Sequence, residues 1–390
     1  MPDKAAGVFD RIASAVRRLA LVGSAVAAAG TAVAAAAPPA GKAETTAIAV
    51  ELAHASATGG HADLAAQADR LALLAPDMLV PCLAAFTDAT PAGANWLRSA
   101  LDRAVERLGA AVPLDELATV AADTTRPARG RSLAFGWLRD RDAARADTML
   151  EGMCDDPALD LRREAVEKLL GSAATADDAA QREVHRRGLK AARDLDQIER
   201  IAEWLGAHGE PVDVADVLGF VRSWRVSEAF DNVGGAGFAT AYPPEADERA
   251  MPAADGWKPV RSSDKHGTID LNAAIAKKKG VLAYAVAAVD MPDGRRAQVR
   301  IGSPCAVAVW VNGVPAMSHE IYHASEAVDQ YVAESDFRAG TNVVLVKCCQ
   351  NEQTEAWAAD WKFQLRICDP LGTPLGTQAT AGAGAATEEP

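Results

Sequence analysis

The chain has no dense run of positive charge. Its tight basic clusters, among them Arg17-Arg18, Arg162-Arg163, Arg186-Arg187 and Lys277 to Lys279, are too short and too scattered to line a groove. With 40 Lys and Arg against 53 Asp and Glu, the formal net charge is −13. That balance excludes a nucleic-acid partner, because phosphate contacts need clustered cations. There is no Gly-x-Ser-x-Gly elbow, phosphate loop or dinucleotide fingerprint, so nothing demands nucleophilic or nucleotide chemistry. Cys-x-x-Cys pairs are missing too, and vicinal Cys348-Cys349 lacks the spacer of a zinc knuckle. No cofactor is called for.

Turning to what is present, 390 residues with 49% apolar character exceed one ordinary core and predict more than one domain. Residues 1–37 have the layout of an export signal: Arg17-Arg18 ends a long polar stretch, a run of Leu, Val and Ala follows, and small residues precede Pro38-Pro39. Left uncleaved, the same run would be an N-terminal anchor and the chain's one route to a membrane. The expectation is an exported protein, periplasmic or extracellular. Six cysteines suit that compartment without requiring bridges. Cys82 and Cys154 read as buried small residues, whereas Cys348 or Cys349 could reach Cys368 between neighbouring strands. Residues 38–46 read as a linker and 371–390 as a disordered Gly, Ala and Thr tail.

Residues 47–210 carry helical punctuation. Asp63 to Leu74 places Leu64, Ala68, Leu71 and Leu74 on one stripe, stopped by Pro76. A local pattern then recurs. Leu161, Arg162, Ala165 and Leu169 follow an Asp-Asp-Pro turn at 155–157, Arg131, Ala134 and Leu138 repeat the spacing, and Arg98, Leu101 and Val105 give a looser copy. The apolar members should face a neighbouring helix while the arginines stay at the margin in salt bridges. Glu164 and Lys168 are placed to pair outside. Over roughly 80–206 this resembles degenerate HEAT repeats, although steps of about 30 residues are short for that family. The resemblance implies a stacked helical scaffold offering a surface.

Beyond Pro211 the signals become those of strands. Cys305 to Pro315 reads as a strand running into Asn312-Gly313, the residue pair that a type I′ hairpin turn favours. Further strands are expected over 220–226, 257–261, 281–289, 298–301, 342–348 and 361–367. In the last of these, Trp361, Phe363, Leu365 and Ile367 should face the core and Lys362, Gln364 and Arg366 the solvent. Val309 to Gly313, Phe337 to Lys347 with its Ala-Gly-Thr-Asn-(apolar)₄-Lys string, Trp361 to Leu365, and the lead-in Tyr242-Pro243-Pro244-Glu245 together resemble a galactose-binding-like jelly-roll sandwich over 215–370. The fold class expected is therefore multidomain α plus β: an N-terminal HEAT-like helical domain and a C-terminal antiparallel β-sandwich.

In that family the binding residues vary and lie on loops at one end, so the resemblance transfers a place only. Here the loop after the hairpin holds His319, Glu320, Tyr322, His323 and Asp329, the polar and aromatic groups that would stack on a sugar ring and bind its hydroxyls. His319, Glu320 and His323 would meet a metal only if they shared a helical turn, and no metal is assigned. Asp270, Asp290 and Asp293 are the donors a structural calcium would use. The expectation is a non-catalytic binding or scaffold protein whose partner is a glycan or a cell-envelope protein. The alternatives are a glycan-degrading enzyme drawing on Glu245, Glu320 and Asp329, or a purely structural envelope component.

Overall fold

The computed structural model describes residues 40–58, 60–246, 257–323 and 325–378. The export signal and its cleavage site lie outside the described residues, as do residues 379–390 of the tail. Among the described residues eleven α-helices come first: α1 (Lys42–Ala53), α2 (His61–Leu71), α3 (Leu79–Leu83), α4 (Pro91–Leu108), α5 (Leu114–Ala122), α6 (Ala128–Arg139), α7 (Ala143–Leu150), α8 (Leu159–Gly171), α9 (Asp178–Ala191), α10 (Leu195–Ala207) and α11 (Val214–Leu218). Helix α1 begins inside the segment read as a linker, and α11 extends the helical part past Pro211. In α4, Thr90 caps the first turn by accepting from the Gly93 amide at 2.9 Å, and Pro91 needs no partner at the first helical position. Leu97, Leu101, Ala104 and Val105 then bury one stripe.

The recurring arginines do not all stay at the margin. Arg98 is exposed and pairs with Asp102, but Arg131 is fully buried. Its guanidinium donates to the Ala121 carbonyl through Nε (3.1 Å) and Nη2 (2.7 Å), and forks onto Asp156. Asp156 belongs to the Asp-Asp-Pro turn before the next repeat and also accepts from the Ala158 amide at 2.7 Å. A buried charge is tolerated here because every polar atom finds a partner. The expected Glu164–Lys168 pair does not form; Glu164 meets Arg139 and Lys168 meets Asp147.

Twelve strands follow among the described residues. The larger sheet has the order β3 (Lys258–Arg261), β1 (Ser223–Val226), β5 (Val281–Met291), β10 (Gly340–Gln350), β7 (Ala306–Val311) and β8 (Val314–His319), with β2 (Phe230–Asp231) and β12 (Thr377–Gln378) also pairing with β5. The smaller sheet runs β4 (Ile269–Asp270), β11 (Lys362–Cys368), β6 (Arg295–Gly302) and β9 (Tyr331–Phe337). Among the described residues the strand pairings are all antiparallel. One apolar core joins the two sheets, with Trp224, Val309, Val344, Val346 and Phe363 among its members. The chain is thus α plus β, helices first and a two-layered antiparallel region second.

The hairpin turns at Asn312 (φ 51°) and Gly313 (φ 78°), as a I′ turn requires. Asn342 ties this turn to the next strand: its Oδ1 accepts from Asn312 Nδ2 and from the Arg338 amide, both at 2.8 Å. Lys347, six residues after Thr341 in the same string, is buried on the outer face of β10. Its three ammonium protons go to the Phe238 and Thr240 carbonyls, each at 2.8 Å, and to Glu245 at 2.7 Å, which exhausts its donors. The segment 230–246 is thereby strapped across the large sheet. Burial and Glu245 raise the Tyr284 pKa, and the Tyr284 hydroxyl donates to the same carboxylate.

Three expectations are corrected. Gln364 and Arg366 are each 3% exposed, so the outer face of β11 is not wet; the end of the helical domain covers it. The segment 371–390 is not wholly a disordered tail, since β12 pairs with β5 and Gln378 ties down the entry to β1. The Gln378 side chain accepts from the Arg222 amide (2.8 Å) and the Ser223 amide (2.7 Å) and donates to the Ser223 carbonyl (2.8 Å). All six cysteines are free thiols, because Cys348 and Cys368 belong to different sheets. Among the described residues no helix is long and apolar enough to cross a membrane.

Removing the Asp156 carboxylate leaves Arg131 charged and enclosed. Asp156→Ala is expected to lower unfolding free energy by about 3–5 kcal/mol in urea denaturation. The double variant Arg131→Met with Asp156→Ala should recover much of that loss.

Candidate functional site

The outer face of the small sheet and the last helices enclose a cleft of about 760 Å³. Strands β6 and β11 supply Arg300, Lys362, Gln364 and Arg366. The α9–α10 connection supplies Arg193, Asp194 and Leu195, and the segment 326–329 closes one side. The halves are joined directly around it. Arg366 Nη1 donates to the Leu218 carbonyl at 3.2 Å, the Val221 amide to the Leu365 carbonyl at 2.8 Å, and His266 Nε2 lies 2.7 Å from Glu199. At Gly302 a Cβ would lie 2.1 Å from the Ala327 carbonyl oxygen, so the close approach of that segment to β6 requires glycine.

Most charges in the cleft are matched. Asp329 accepts from Arg366 Nε (2.7 Å) and Arg300 Nη1 (2.7 Å). Burial would raise the Asp329 pKa, but the hydrogen bonds and charge of Arg366, then those of Arg300, prevail and hold it below the usual carboxylate range. Lys362 meets Glu326 at 2.9 Å and Asp360 at 3.0 Å, which hold its pKa up against burial. Asp194 is 3.3 Å from Arg163. Gln364 Oε1 is different: it is buried in the wall of the cleft and has no hydrogen-bond partner among the described residues. An unsatisfied buried carbonyl costs about 1–3 kcal/mol.

The loop residues singled out from sequence do not gather in one place. Asp329 belongs to the cleft. Glu320, Tyr322 and His323 lie toward the strapped face of the large sheet, whereas His319, opposite Val307, lies on the inter-sheet side. His319 ends β8 and stacks on Tyr331 with ring centres 4.0 Å apart. Tyr322 accepts at its hydroxyl from Asn232 Nδ2 at 3.1 Å, and burial raises its pKa. His323 has a left-handed φ of 58°, bonds Asn351 Oδ1 through Nε2 at 2.7 Å, and stands edge-on to Trp357 at 5.1 Å. Glu320 is exposed beside Gly235. His319 to His323 spell His-Glu-x-x-His, but that string holds zinc from one helical face, and here it leaves a strand and turns. Among the described residues no three His, Cys, Asp or Glu side chains group as a metal site. The calcium donors considered from sequence are separately engaged, Asp270 in capping Asn272 and Ala273, Asp290 with Thr341 and Asp293 with Arg295.

Sequence reasoning did not assemble the cleft. Its residues come from segments more than a hundred positions apart, and Gln364 and Arg366 occupied positions that strand alternation assigned to solvent. The chain matches no family model, no curated protein and no solved structure.

A carboxylate with a depressed pKa stabilises the fold above its unfolded value of about 3.9, and that contribution is lost as pH falls through the lower folded value. Asp329→Asn is therefore expected to be less stable than the parent at neutral pH and to lose less stability on acidification below about pH 4. Denaturation midpoints measured across that range check this; parallel curves for the two proteins would contradict it.

Proposed function

We propose that this chain is an exported, non-catalytic binding or scaffold protein in which a HEAT-like helical stack and a galactose-binding-like jelly roll form one body and hold a ligand between them. The observation that carries the binding reading is the cleft itself. It is walled by oriented ion pairs, lined on one side by Leu159, Leu195 and Leu218, and contains an unpartnered amide oxygen at Gln364. Concave sites with apolar walls and a few placed polar groups are where small ligands bind. The jelly-roll assignment is supported by the contact between Tyr242-Pro243-Pro244-Glu245 and the Ala-Gly-Thr-Asn-(apolar)₄-Lys string through Glu245 and Lys347. The HEAT assignment is supported by Arg131, which clamps a turn of the following repeat.

The ligand class is a glycan, or a glycan-bearing envelope protein. Full-length protein on a glycan array should retain a defined set of sugars, and Ala327→Trp, which fills the cleft from an exposed position, should abolish retention. A second reading places the sugar on Trp357, which is 65% exposed beside His323. Retention lost in Trp357→Ala and kept in Ala327→Trp would favour that platform. Failure of the protein to retain any glycan or envelope protein would defeat both versions.

Export rests on the Arg17-Arg18 boundary and the apolar run after it. Intact-mass measurement of the protein from its producing cells should show a mature chain starting near Pro38. A soluble cytoplasmic product that retains Met1 would refute export.

A further inference from the structure

The repeat arginines offer an internal comparison. Arg131 and Arg162 occupy equivalent places in successive copies of the pattern, and both are buried, Arg162 to 7% exposure. Each donates to the carbonyl of an alanine near a helix end: Arg131 to Ala121, and Arg162 through Nε to Ala191 at 2.8 Å. There the likeness stops. The remaining nitrogens of Arg131 close on Asp156. Those of Arg162 have no hydrogen-bond partner among the described residues, and the carboxylate nearest in sequence on the following connection, Asp194, is engaged by Arg163.

A second cation occupies the place where a counter-ion would be expected. Arg193 Nη1 donates to the same Ala191 oxygen at 3.2 Å, and also to the Lys190 and Ala192 carbonyls, while Nε meets Thr373 Oγ1 at 3.2 Å. Two guanidinium groups are thus held on one oxygen atom. Neither has a carboxylate within ion-pair distance among the described residues. Asp369 acts on Arg193 only from farther away, its Oδ1 being bound to the Thr373 amide at 2.8 Å. Burial and the Arg162 charge lower the Arg193 pKa. The bland account is that both side chains cap the C-terminal carbonyls of α9, where cations are favoured. Capping explains Arg162 Nε and Arg193 Nη1, but it leaves Arg162 Nη1 and Nη2 and Arg193 Nη2 without a role. Arg193 lines the cleft, whose other cations, Arg300, Arg366 and Lys362, all have acidic partners.

We propose that the Arg162–Arg193 pair is a binding site for an oxyanion, which does for Arg162 what Asp156 does for Arg131. The anion is a carboxylate carried on a sugar ring or a free inorganic phosphate; both present paired oxygens to guanidinium forks. This rests on the cleft reading above and makes the ligand acidic at its Arg193 end.

Isothermal titration of the full chain with inorganic phosphate and, separately, with glucuronic acid tests the site at constant ionic strength set by chloride. Saturable binding of at least one is expected, and the tighter of the two identifies the source of the anion. Arg193→Gln and Arg162→Gln should each weaken it by about tenfold or more, whereas Arg225→Gln, an exposed arginine on β1, should not. Arg193→Lys and Arg162→Lys keep the charge and the fold but lose the fork, and should still weaken binding several-fold. Absence of saturable binding to either probe, or binding indifferent to the lysine variants, overturns the proposal. A neutral glycan blocked by Ala327→Trp yet unaffected by Arg193→Gln would leave the cleft standing as a binding site and remove its anion preference.

Discussion

The Arg366 guanidinium is the joint on which the two halves of the molecule depend. A buried guanidinium must meet acceptors on nearly all its nitrogens, and those acceptors come from three separate segments. Asp329 comes from the loop before β9, the Leu218 carbonyl from the end of α11, and the Gly372 carbonyl from the chain beyond β11, while β11 carries the arginine itself. Satisfying one charge therefore fixes where the helical domain ends, how the 326–329 segment lies and how the last described residues leave the sheet. The cleft exists because these groups are held around a polar side chain and could not close into an apolar contact.

Much of the architecture was legible because it follows from local periodicity. The alternation from Val307 to Val311 and the Asn312-Gly313 turn are properties of adjacent residues, and so is the three-and-four spacing of Leu97, Leu101 and Val105. Burial that depends on a second domain was not legible. Lys362, Gln364 and Arg366 have the alternation of a half-wet strand, and only α11 and the α9–α10 connection turn that face inward. Arg131 misled for the same reason: its buried charge is matched by Asp156 on a later turn. The segment read as a loop after the hairpin begins inside β8, which runs to His319, and spacing could not reveal that Asp329 faces one sheet while His323 and Tyr322 face the other.

Buried charge is handled in this chain by exhausting donors. Lys347 has three acceptors for three protons, and Arg131 forks on a carboxylate while capping a helix. That economy makes the exceptions informative. Gln364 and Arg193 both line one cavity, so a guanidinium without a carboxylate partner stands at the place best shaped to receive another molecule.

The fork made by Gln378 on the Arg222 and Ser223 backbone has a mechanical consequence. It sets the entry and the exit of the sheet region side by side, so a pull between the helical half and the residues past 378 loads those three hydrogen bonds and the short β12 pairing first. The long β5–β10 ladder lies outside that line of force. The sheet region is in this sense fastened at its neck, and tension on the chain would open the neck before it sheared the core.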